Sequence, residues 1–445
     1  MNKIERPNLS KVLIITQLIA SMVGYLVLFR LIPRNNFIQF FSFFTFLFIS
    51  YYFLVKNISL KQGIGLAILL RIIALLSTPE LSDDFYRFIW DGALTVNNIN
   101  PYLYTPQHAF NTGLLCGKNF SFLIEKMNSP NYFTVYPPLN QFLFATSVFI
   151  FGSAKGLLSA VGIKFWIFLA EIGTILLLPK VLKSFDIAPE NALLYTLNPL
   201  VIIELCGNGH YEGVMIFLLL LSVYVLQSNK WGLSAIVFGL AVSIKLVPLL
   251  FIPLLFRKIG FIKLVLFSFI AISVNVILFI PYASQEFLSN LGSSIHLYFN
   301  SFQFNSFIYA IISDVLTKSG LPESSNKIVA PLLMLFPVAA LAWFSLSKKS
   351  MLKNLPSKIS TTQGFYYFFS AVVHPWYLTT VLVFSTFQPV KYILVWSYVV
   401  GLSYFTYRTL PYEESSILIA LEYLLVFMFL FIDWIILKRK RYLAQ

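Results

Sequence analysis

Charge is scarce in this chain. Asp, Glu, Lys and Arg make up 11% of its 445 residues, against about a quarter in soluble domains. Most of the chain therefore cannot present a solvated globular surface. Cysteine is rarer still. Cys116 and Cys206 are the only two, so no disulfide framework is implied and no cysteine-type metal spacing exists. Four histidines are dispersed along the sequence, and no metal-ligand cluster can be read from their spacing. Low-complexity segments, a soluble domain and a clear internal repeat are also missing.

What is present is apolar. The chain is 58% hydrophobic, with a mean hydropathy of +0.79. Apolar runs fall near 11–31, 37–56, 63–77, 138–152, 157–179, 191–206, 211–227, 231–243, 246–256, 261–281, 326–347, 361–373, 377–388, 392–408 and 415–437. Many are long enough to cross a bilayer as helices, and lipid offers backbone amides no other partner. The expectation is an all-α polytopic membrane bundle of about 12–14 spans, forming one integral membrane domain over 1–445. The first run is too long for a signal peptide and lacks a small-residue cleavage site, so it reads as a true span. The net charge of +14 does not point to nucleic acid. Its Lys and Arg residues sit in short clusters between apolar runs, the pattern of loops retained on the cytoplasmic side.

Those clusters predict sidedness. Lys3, Arg6 and Lys11 place the N-terminus inside, and Lys438, Arg439, Lys440 and Arg441 do the same for the C-terminus. Lys56 and Lys61 are inside, so the third run exits and opens an outer loop over 78–137. Lys230 is inside, which puts "NGHYEG" (208–213) outside. Arg257, Lys258 and Lys263 are also inside, so the run between them and Lys230 turns outside near "SIKLVP" (243–248). Lys348, Lys349, Lys353, Lys358 and Lys391 force another outer turn at "HPWY" (374–377). Residues 138–179 resist this scheme. They look like two spans, but Lys180 and Lys183 ask for one net crossing, so either one piece only dips into the membrane or the two lysines lie outside.

The outer loop opens with "SDDFYRFIWDG" (82–92). Asp83 and Asp84 could cap a helix or be solvated. At helical spacing Asp84, Arg87 and Asp91 share a face and can pair, which would leave Asp83 freer to act. Tyr86, Phe88 and Trp90 suit the membrane interface or stacking on a sugar ring. Tyr102 and Tyr136 lie in proline-punctuated turns that fix how the loop re-enters the bilayer. His210 and Glu212 are two apart and poor mutual partners on one helix face. With Asn208 they suit hydrogen bonding to a polar substrate. Lys245 and Arg71 are cations within apolar runs, which default to functional roles, with snorkelling as the plain alternative. Lys245, beside Pro248, suits a lipid phosphate. So does His374, followed by Pro375, Trp376 and Tyr377, because a histidine can donate to phosphate. Glu171 and Glu204 suit pairing within the bundle.

Carboxylates, cations and aromatics on one face fit the transfer of a sugar from a lipid phosphate to a hydroxyl. The acceptor needs a base, and the departing phosphate needs positive charge rather than an acid. Nucleotide sugars are not available outside the cell membrane, so the donor must be lipid-carried. No bound metal or cofactor is required.

The ordered set "SDDFYRFIWDG…NINPYLY…YPPLNQ", "NPLVIIELCGNGHYEG", "GLAVSIKLVPLL" and "HPWYL" resembles the GT-C superfamily of membrane glycosyltransferases. It is most similar to bacterial polyprenol-phosphate-mannose-dependent mannosyltransferases. The likeness covers residues 63–390; 391–445 carries no recognisable motif. The resemblance implies an inverting hexosyltransferase, with mannose as the sugar, a polyprenyl-phosphate donor and a glycan or glycolipid acceptor, in a bacterial inner membrane. It implies a loop acid as base, here Asp83 or Asp84, with Asp83 favoured as the first of the pair. It further implies Lys245 and His374 as donor-phosphate contacts, with Arg87, His210, Asn208, Glu212, Trp376, Tyr377 and Tyr86 as further phosphate or sugar contacts. Asn97 and Asn98 stand where the family commonly has glycine before Asn-Pro-Tyr. Two spans precede the loop's own, more than is usual. A transporter or flippase for a lipid-linked sugar is the rival from another class, although the expected repeated halves are missing. An oligosaccharide polymerase or ligase would share the donor chemistry.

Reporter tags inserted beside Asp83 and beside His374 should both report the extracytoplasmic side. Opposite sides would contradict the sidedness derived from charge.

Overall fold

Short polar stretches start the second and third helices. The computed structural model describes residues 11–154, 156–320, 326–347 and 354–442. Lys3, Arg6, Lys348, Lys349 and Lys353 lie outside the described residues. Helix α1 spans Lys11–Leu31, and α2 spans Phe37–Asn57, where Asn36 accepts from the Gln39 amide at its start. Helix α3 spans Leu60–Leu75 and opens on a reciprocal box. The Ser59 hydroxyl accepts from the Gln62 amide, and the Gln62 side chain accepts from the Ser59 amide, satisfying two otherwise orphaned groups. The chain then enters the 78–137 segment, which is folded rather than open. It carries α4 (Asp84–Val96), α5 (Pro106–Asn111) and α6 (Lys118–Lys126). Helices α7 (Pro138–Phe151) and α8 (Leu157–Ser184) follow.

The described residues are helical with no strand, as the composition predicts; a lone bridge joins Phe304 and Val372. Among the described residues, six helices are long and apolar enough to cross a membrane: α1, α2, α8, Phe261–Tyr282, Ile328–Leu346 and Ser416–Arg439. A bent pair, Pro199–Gly207 with Glu212–Gln227, meets at 113° and brings the number to seven if counted as one span. The remaining runs expected as spans occur as shorter pieces. Helix α7 has 14 residues, rising about 21 Å, short of the ~30 Å hydrocarbon core. Of the two readings of residues 138–179, its length fits the one in which a piece does not cross.

The breaks fall where the sequence places turns. Trp231–Val242 ends before a 3₁₀ run, Val247–Leu255, in which Pro248 and Pro253 withhold amide donors and prevent a continuous α ladder. Leu355–Phe368 and Leu378–Ser385 are likewise separated by the HPWY stretch.

Two buried features fix α4 and α3. Gly92 of α4 faces α7 so closely that a Cβ there would lie 2.5 Å from the Phe144 carbonyl oxygen, so only glycine admits this approach. Arg71 of α3 is fully buried, as is its partner Glu171 of α8 at 3.0 Å. Tyr195 donates to the same carboxyl at 2.7 Å, and the Thr196 carbonyl accepts from Arg71. Arg71 therefore does not snorkel, and Glu171 pairs within the bundle as expected.

Glu171→Ala leaves the guanidinium buried without its counter-charge, which typically costs about 3–5 kcal/mol. The thermal midpoint of the detergent-solubilised protein should drop sharply. An unchanged midpoint would contradict the role assigned to this pair.

Candidate active site

The two aspartates at the head of α4 have different surroundings. Asp83 sits at the N-cap position but makes no side-chain cap bond, so the capping reading fails for it. Its carboxylate is held by both terminal nitrogens of Arg34, at 2.8 and 3.2 Å. Arg34 also donates to the Tyr412 hydroxyl at 3.0 Å and lies 5.4 Å from the Tyr407 ring centre. This corrects the expectation that Asp83 is the freer of the two. Asp84 accepts one bond, from Asn128 at 3.0 Å, and keeps part of its surface open. Desolvation raises its carboxyl above the usual carboxylate range; Asn128 and Lys245 pull it back down, while Glu212 and Asp83 push it up. Asp84 thus shares an electrostatic neighbourhood with residues far along the chain.

The partner expected for Asp84 goes elsewhere. Arg87 pairs with Asp91 at 2.7 Å and donates to the Ser129 and Tyr132 carbonyls at 3.0 and 2.9 Å. It is buried and ties the loop to α4. Tyr86 packs on Phe85 and Phe122 within the same loop. Trp90 is fully buried, edge-on to Phe120, and so neither lies in the interface nor is free to stack on a sugar. Tyr102 donates to the Tyr136 carbonyl at 2.7 Å, a structural role, as expected. Asn98 adopts φ 58°. That is the left-handed region glycine favours and asparagine tolerates.

Lys245, Glu212 and the HPWY residues converge. Lys245 and Glu212 form an ion pair, and the Lys245 ammonium lies 3.9 Å from the Tyr377 ring centre, a cation–π distance. His210 stacks on Trp376 at 3.7 Å, and His374 stacks on the same indole at 4.3 Å, with planes 22° and 4° apart. Phe304 stacks on His374 at 4.6 Å. His210 Nδ1 also lies 3.4 Å from Glu204 Oε2, but neither atom completes a hydrogen bond, so the pairing expected of Glu204 within the bundle is a close approach only. His374 keeps some surface open; burial, aided by Lys245, pushes its imidazole down to about 3. It is neutral near pH 7, with one N–H to donate. Asn208 accepts from the Leu81 amide at 3.2 Å, so it braces the approach to the aspartates from "NGHYEG". Of the predicted site residues, Lys245, Glu212, His210, His374, Trp376 and Tyr377 gather, and Asp84 feels the charges of Lys245 and Glu212; Asp83, Arg87, Asn208 and Tyr86 lie along the segments that lead to them.

Sequence reading missed Arg34, Asn128, Tyr407, Phe304 and Lys164. Lys164 is fully buried in α8 and donates to the Ala74 and Ser77 carbonyls at 2.8 and 2.5 Å, and to the Gly207 carbonyl at 3.4 Å. It clamps the end of α3, which leads to the aspartates, against the turn that leads to His210. A lysine inside an apolar run was a legible signal, by the rule that singles out Lys245. Arg34 and Asn128 carry no such signal.

Chemically, the arrangement offers a partly open carboxylate with a raised proton affinity, an ammonium, a neutral imidazole and a wall of stacked rings. It can accept a proton at one place and stabilise a departing anion at another. No curated protein matches the chain. Residues 16–259, more than half of it, match the family profile described as "Alpha-(1->6)-mannopyranosyltransferase, N-terminal domain". This covers both aspartates, the NGHYEG turn and Lys245; His374 lies beyond it. With its helical, multi-pass architecture and this site, the chain belongs to the alpha-(1->6)-mannopyranosyltransferase family and is a membrane mannosyltransferase.

Proposed function

We propose that the enzyme transfers mannose from a polyprenyl-phosphate donor to a glycan or glycolipid hydroxyl on the extracytoplasmic side, with inversion. The observation that carries this reading is that Lys245 meets both Glu212 of the NGHYEG turn and Tyr377 of the HPWY turn, with the Asp84 carboxyl responding to both charges. In the proposed step the acceptor hydroxyl gives its proton to the Asp84 carboxylate as its oxygen forms the new bond to the sugar's anomeric carbon. The bond from that carbon to the phosphate oxygen breaks, and its electron pair leaves with the polyprenyl phosphate. Lys245 and neutral His374 hold the growing negative charge, an interaction strongest in the transition state. Attack from the face opposite the phosphate inverts the centre. An α product, as the family description has it, then requires a β-linked donor.

Asp84 replaces Asp83 as the favoured base because Arg34 occupies both oxygens of Asp83. Asp83 and Arg34 then form the rim of the acceptor side, and Trp376 and His210 the wall beneath the sugar. Membership of a mannosyltransferase family removes support from the transporter alternative. In this reading both termini lie in the cytoplasm, as the distribution of Lys and Arg predicts, and the membrane is the bacterial inner membrane, as the resemblance to polyprenol-phosphate-mannose-dependent enzymes implies.

In membranes supplied with labelled polyprenyl-phosphate mannose, Asp84→Asn should lower turnover by about 10²–10⁴-fold, and Asp83→Asn by much less. Full transfer by Asp84→Asn would overturn the assignment. The base must be ionised, so kcat/KM should fall as pH drops through a value above the ordinary carboxylate range. Asn128 stabilises the ionised form, so Asn128→Ala should move that acid limb to higher pH. A limb that stays put or moves down would contradict the contact's role.

A further inference from the structure

The chain beyond residue 259 lies outside the family match, but it builds one wall of the ring stack. Residues 302–307 cross beside the segment that precedes His374. The Phe304 amide donates to the Ala371 carbonyl at 3.1 Å, and the Val373 amide donates to the Phe304 carbonyl at 2.9 Å. This two-bond bridge sets the Phe304 ring against His374, at 4.6 Å with planes 28° apart.

The next residue, Asn305, is buried with φ 48°, the left-handed region that asparagine tolerates. Three groups from the last part of the chain hold it there. The Asn305 amide donates to Glu414 Oε1 at 2.6 Å, its side-chain Nδ2 donates to Glu422 Oε1 at 3.2 Å, and its carbonyl accepts from the Tyr423 hydroxyl at 2.9 Å. Glu422 is fully buried in the apolar helix Ser416–Tyr442. Its Oε1 also accepts from Trp396 Nε1 at 2.9 Å, while its Oε2 has no hydrogen-bond partner. No cationic side chain pairs with it among the described residues. Helix packing alone would be served better by an apolar residue, because an incompletely satisfied buried carboxyl is costly. Its two partners are Trp396 and Asn305, and Asn305 leads directly to Phe304 and His374.

We infer that Glu422 is a positioning residue for the transfer reaction: through Asn305 it fixes Phe304 against His374 and so shapes the phosphate side of the donor site. This rests on the reading of His374 as a donor-phosphate contact.

The test is steady-state kinetics of the full-length enzyme, with polyprenyl-phosphate mannose as donor and an alkyl α-mannoside as acceptor probe. Glu422→Ala and Asn305→Ala should raise the donor KM about tenfold, the scale of one misplaced contact, and leave the acceptor KM in place. Phe304→Leu should do the same without touching the anchor. Glu422→Gln keeps the carbonyl that accepts both bonds and should recover most of the donor affinity. A wild-type donor KM in Glu422→Ala or in Phe304→Leu, or equal changes in donor and acceptor KM, would overturn the inference. If Glu422→Ala fails to fold, Asn305→Ala, which breaks the same link, and Phe304→Leu decide together. A wild-type enzyme inactive with this donor would instead sink the proposed function.

Discussion

The ion pair between Lys245 and Glu212 is the junction on which the site depends. It joins the NGHYEG turn to the KLVP turn, and the Tyr377 ring on the ammonium adds the HPWY turn. An ammonium and a carboxylate at a membrane boundary would each be costly to desolvate alone. Together, with Lys245 still partly exposed, they are tolerated while leaving charge to act on a substrate anion. Asp84 lies within the field of both, so its proton affinity depends on a residue far away in sequence.

Around this junction the protein uses buried polar groups as joints. Arg71 with Glu171, Arg87 with the Ser129 and Tyr132 carbonyls, and Lys164 with its carbonyls each link segments that lead into the site. In an apolar bundle such joints are among the few strongly directional contacts, because a missed partner is costly. Ring stacking continues the pattern from His210 through Trp376 to His374 and Phe304.

Much of this was legible in the sequence. Apolar runs gave the helical membrane class, and prolines and charges gave the breaks at 243–248 and 374–377. The motifs that converge, at Asp84, His210, Lys245 and His374, were picked out as polar residues in apolar surroundings. What could not be read was the pairing. Asp83 looks as free as Asp84 until Arg34 arrives from the turn between α1 and α2. Nor does the sequence show that Arg87 binds the carbonyls at 129 and 132. Glu422, in a stretch with no recognisable motif, acquires meaning only through Asn305. Each case depends on a contact between distant segments, which local periodicity does not encode. Runs expected as full spans also became half-length pieces, because hydropathy reports burial in apolar surroundings whether or not a segment crosses.

The account stands or falls on whether Lys245 and Asp84 serve one reaction centre. The most direct measurement is the pH dependence of kcat/KM for Lys245→Met. Removing the ammonium withdraws a charge that favours ionised Asp84 and leaves Glu212 unpaired beside it, and both changes raise the carboxyl's proton affinity. The acid limb should therefore move to higher pH than in the wild type. A limb that stays in place or moves to lower pH would show that the lysine and the aspartate do not share a site.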